Sequence, residues 1–180
     1  MTKENKDDKS PEPFYHESAE YSSAFFGPVP DKILESVAGK TDDKTKKELA
    51  GQLTDPQFRE TKSDLLNMLR ENESQDLLLE MIADKNYKKQ RSALIAACWE
   101  TGLNFSKYLE VFVHLLADKY TDDFSAIEIA TVIDEMPGPF EKEALENCIR
   151  GLEKMAAANP LKTELINGII LRLQAFSTSN

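Results

Sequence analysis

Cysteine is nearly absent from this chain of 180 residues: Cys98 and Cys148 are the only two, and both fall in apolar, helix-patterned surroundings. That excludes a disulfide scaffold and any Cys-x-x-Cys metal or redox motif; small buried thiols are the ordinary expectation, with a bridge between the two left open. Histidine is equally scarce, since His16 and His114 stand far apart and neither belongs to the two-histidine helix motif of zinc proteases. The seven glycines are scattered singly, so there is no Gly-rich phosphate loop, and neither nucleotide nor any other cofactor is expected. No apolar run approaches the roughly 20 residues needed to span a bilayer. The charged start, Met1 to Lys9, has no apolar stretch behind it, so the expected location is the cytoplasm. Alternating strand-like runs are missing too, which predicts an all-α fold. Positive charge is in deficit, with Lys and Arg numbering 22 against 32 acids for a net charge of −10. Short basic clusters such as Lys44-Thr45-Lys46-Lys47 and Lys88-Lys89-Gln90-Arg91 do not offset this. Nucleic-acid affinity comes largely from cations displacing counterions at phosphates, so a nucleic-acid partner is disfavoured and a basic protein partner favoured.

What is present is a repeat. Ile82-Ala83-Asp84-Lys85 returns as Leu116-Ala117-Asp118-Lys119, 34 positions later. Ser92-Ala93-Leu94 returns as Ser125-Ala126-Ile127, and Ala97 as Ala130, at a spacing of 33. Two helix-sized segments recurring in one order at one period are the mark of stacked helical pairs. Capping residues, Gly and Pro divide the chain into a short helix over 31–37 and four pairs: 43–53 with 56–70, 74–84 with 87–101, 105–119 with 122–136, and 140–158 with 160–176. Asp55-Pro56 and Asn159-Pro160 each put a capping side chain before a proline at the first helical position.

The second pair reads Leu77-Leu78-Leu79-Glu80-Met81-Ile82-Ala83-Asp84, a short turn, then Gln90-Arg91-Ser92-Ala93-Leu94-Ile95-Ala96-Ala97. This resembles the HEAT family of helical repeats, in which a leucine-rich helix ends in Asp, turns, and continues through a basic residue into small apolar positions. The resemblance is clearest over residues 74–136, although Phe124 stands in the third pair where Arg91 stands in the second. It implies a short α-α superhelix over residues 31–180 that binds a basic or amphipathic protein segment on the concave face lined by the second helices. Within the pair, Ala93, Ala96 and Ala97 permit close helix approach, Asp84 is suited to cap the second helix, and Arg91 to reach back to its carboxylate.

Residues 1–30 read as a separate tail, holding Pro11, Pro13, Pro28 and Pro30 together with Phe14, Tyr15, Tyr21, Phe25 and Phe26. Aromatics are unusual in a purely solvated segment, so the tail is expected to dock in part, either capping the end of the stack or serving as a linear motif.

Candidate binding residues come from the helix over 122–136. There Phe124, Ile127, Ala130 and Ile133 are expected to face neighbours, leaving Glu128, Thr131 and Glu135 on an exposed stripe with Asp134 alongside. That stripe is either a solvated acidic face or a patch for Lys and Arg of a partner. Trp99, the single tryptophan, is either a core filler or an interface anchor. The expectation is therefore a non-catalytic recognition module. The alternative is a helical enzyme or metal protein built on Glu110, His114 and Asp118, whose spacing of four puts them along one helix side.

Overall fold

The computed structural model describes residues 43–54, 59–119, 121–159 and 162–177. The tail over 1–30, the helix expected over 31–37 and the Asp55-Pro56 turn lie outside them.

Helix α1, Asp43–Thr54, buries Leu49, Ala50 and Leu53 with the stem of Lys46, a stripe spaced three and four residues apart. The Lys46 ammonium lies 2.5 Å from the Glu80 carboxylate. Helix α2, Arg59–Glu71, buries Leu65 and Leu69. Its end is a left-handed turn at Glu73 (φ 48°), where the Ser74 amide donates to the Leu69 carbonyl and the Glu73 amide to that of Arg70.

Helices α3, Gln75–Ala83, and α4, Arg91–Glu100, are joined by a 3₁₀ segment over Lys85–Gln90 that buries Tyr87. The Asp84 carboxylate accepts from the Asn86 amide at 2.8 Å and so opens that segment. A second 3₁₀ turn, Ser106–Tyr108, leads into α5, Leu109–Ala117, which is buried on all sides except at Glu110. A helix apolar all round belongs in the middle of a molecule, and α5 indeed packs on both of the elements that follow, α6 (Asp123–Asp134) and α7 (Lys142–Ala158). Helix α8, Thr163–Ser177, closes the described chain. Among the described residues there is no strand, and no helix is long and apolar enough to cross a membrane.

Each of α3/α4, α5/α6 and α7/α8 packs as a pair. Across pairs, α4, α6 and α8 lie side by side, with α6 in the middle, while α5 lies against α7. The start of the chain departs from this order, because α1 packs on α4 and on the 3₁₀ turn before it. The core runs continuously through the pairs, with Leu78, Leu94, Ile95, Phe112, Ile129 and Leu173 among its buried members.

Candidate functional site

Helix α6 starts where the Asp122 carboxylate accepts from the Ser125 amide at 2.7 Å. That backbone hydrogen bond is the main reason its carboxyl sits below the usual range. From this start the helix turns Ser125, Ala126, Ile129, Val132 and Ile133 inward. The expected orientation is thereby corrected: Phe124 and Ile127 do not face neighbours but are 76% and 54% exposed. The reason is crowding. Helix α6 is underlain by α5 and flanked by α4 and α8, so its tightest positions take the small Ser125 and Ala126, and the bulkier Phe124 and Ile127 fall on the one side left open.

The five residues read from the sequence lie along the outer side of this layer but divide between its two seams. In the α4/α6 seam the Trp99 indole N–H donates to the Glu128 carboxylate at 2.7 Å. Trp99 is 38% exposed, so it is not a core filler. Glu135 joins Trp99 at a small depression of about 160 Å³ bounded by Val132 and Pro137. In the α6/α8 seam Thr131 and Asp134 border a groove of about 690 Å³, with Ile127, Leu165, Gly168 and Ile169. The Thr131 hydroxyl donates back to the Ile127 carbonyl at 3.1 Å.

Asp134 is less available than its exposure suggests. Arg172 of α8 brings Nε to 3.3 Å from its carboxylate, and Nε and Nη2 donate to its backbone carbonyl at 3.2 and 2.9 Å. The same guanidinium lies over the Phe176 ring, 4.7 Å from its centroid. Arg172 escaped the sequence reading because it is 38 positions away and carries no repeat signature. Its only signal was that it lies about one period beyond Asp134.

The alternative row of Glu110, His114 and Asp118 is not held together as a site. Asp118 is buried and its carboxylate accepts from Arg91 Nη1 at 2.9 Å. Arg91 therefore reaches forward to the next repeat, and not back to Asp84 as expected. Burial lowers the His114 pKa to about 4, so its imidazole is neutral near pH 7. Glu110 is pushed upward, first by burial and then by the charges of Glu141 and Glu143 across a separate groove of about 510 Å³. Among the described residues no group of three His, Cys, Asp or Glu side chains is gathered in a way that would hold a metal ion. Cys98 and Cys148 are both buried and unbridged, and burial pushes both thiols well above their ordinary range.

The exposed large apolar side chains of the described residues have a pattern that sequence periodicity did not disclose. They are Met68, Trp99, Phe124, Ile127 and Leu171. All of them belong to second helices: α2, α4, α6 and α8. No family model, no curated protein and no solved structure matches the chain.

Proposed function

We propose that this protein is a non-catalytic recognition module that binds a basic or amphipathic segment of another protein on the exposed face of its second helices. The observation that carries this reading is that, among the described residues, the exposed large apolar side chains all belong to α2, α4, α6 and α8. Apolar anchors set among charged neighbours are the composition of an interface. The acids on that face, Glu128, Asp134 and Glu135, give it the sign to steer a cationic partner. The side-by-side order of α4, α6 and α8 supports a HEAT-like stack, in which successive second helices line one binding surface.

The test is a comparison of captured proteins. Full-length wild type, a face variant (Glu128→Lys with Glu135→Lys) and a control variant (Glu146→Lys on the exposed side of α7) are used as bait in lysate of the source cell at low and high salt. A stoichiometric partner retained by wild type and control, released by salt and lost from the face variant is the expected result. Equal retention by all three overturns the reading.

A further inference from the structure

We infer that the groove between α6 and α8 seats one helix of a basic amphipathic partner, with a large side chain of that helix resting over Gly168; this rests on the recognition reading above and specifies its location and ligand. The groove, about 690 Å³, has apolar walls from Ile127, Ala130, Leu165 and Ile169. Its floor is bare at Gly168, which stands inside α8. A glycine inside a helix costs about 1 kcal/mol relative to alanine. Among the described residues nothing requires it here, because a Cβ built at Gly168 meets none of their atoms within 4 Å and the backbone is not left-handed. The missing side chain therefore leaves open space over the groove floor.

Charge decides what that occupant is. Among the described residues, the lining of this groove holds two acids, Asp134 and Glu164, against one cation, Arg172. Asp134 sits at the C-terminal end of α6, where the helix dipole disfavours negative charge. Arg172 answers Asp134, while Glu164 stands on the opposite wall. A second copy of the chain, at net charge −10, would bring like charge to this rim. So would residues 1–42, in which acids outnumber bases. A helix with Leu-type residues on one side and Lys or Arg on the flanks complements both the floor and the rim.

The experiment uses full-length protein with labelled Ile, Leu and Met methyls and an amphipathic Leu/Lys peptide of about 18 residues, five helical turns. A matched Leu/Glu peptide is the control. The expected result is that the Leu/Lys peptide alone shifts the methyls of Ile127, Leu165 and Ile169. Gly168→Phe, which fills the floor without changing charge, weakens its affinity about tenfold or more, as for loss of an interface anchor. Ile127→Glu does the same from the opposite wall, at an exposed position where folding is not at stake. Shifts at Met68 with a silent groove overturn the inference and leave the recognition reading standing. No shift at any methyl, or an equal response to the Leu/Glu peptide, overturns it as well, and the capture comparison then judges the recognition reading independently. Groove shifts produced without peptide by Phe25→Ser with Phe26→Ser would make the chain itself the occupant and also overturn it.

Discussion

Arg91 and Asp118 meet across the seam between consecutive helical pairs, with Nη1 2.9 Å from the carboxylate oxygen and both side chains almost wholly enclosed. Arg91 opens α4, and Asp118 ends α5. Asp118 is the repeat counterpart of Asp84, so the basic residue of one unit is neutralised by the acid of the next.

Removing one member strands a buried charge, at a cost of about 3–5 kcal/mol. Asp118→Asn and Arg91→Met should each lower the unfolding free energy measured in urea by that order, a large part of the roughly 5–15 kcal/mol that holds a domain together. The double variant Arg91→Met with Asp118→Leu should lose less than either single change. Additive losses would mean that the two side chains do not act as a pair.

His114 predicts acid sensitivity. Its pKa is about 4 in the fold against about 6.5 in an unfolded chain. Between these values the unfolded state binds more protons, so stability falls as pH drops through that window and is fully present above it. At pH 5 the contribution lost is about 2 kcal/mol. Urea midpoints at pH 7.5 and 5 should therefore lie closer together for His114→Gln than for wild type.

Both thiols are sealed and held in the neutral form. Iodoacetamide at pH 8 should leave the native protein unmodified and add to both cysteines once urea unfolds it, as read by intact mass. Rapid labelling of the native protein would show that α4 or α7 opens readily.

Two glycines should respond oppositely to alanine. Gly168→Ala should stabilise by about 1 kcal/mol, because it removes a helix-interior glycine where nothing is in the way. Gly138 has φ +75°, and a Cβ there meets the Phe176 ring at 3.4 Å. Gly138→Ala should cost about 1–2 kcal/mol from the left-handed backbone alone. Thermal unfolding of the pair checks both signs.

Much of this architecture was legible before the structure. The recurrence of Ala83-Asp84-Lys85 as Ala117-Asp118-Lys119 fixed two pairs, and the boundaries at Gly102 and at Pro137-Gly138 fall within a few residues of the helix ends. What stayed hidden depends on neighbours far along the chain. Spacing alone does not disclose that α6 has company on three sides, so the apolar period places Phe124 and Ile127 inward. Nor did it reveal that Arg91 answers Asp118 and not Asp84, since each acid occupies an equivalent place in its own unit. Glu128 and Trp99 were each singled out, but the hydrogen bond joining them spans 29 positions and needs the seam to exist.

That bond gives the protein a built-in gauge. Trp99 is the chain's single tryptophan, part-exposed and tied to Glu128 on the adjacent helix. Its emission therefore reports one junction and not the whole chain. A slip between α4 and α6 would release the indole into water and shift its spectrum while the helical content stayed constant, so the mechanics of this layer can be followed optically without adding a label.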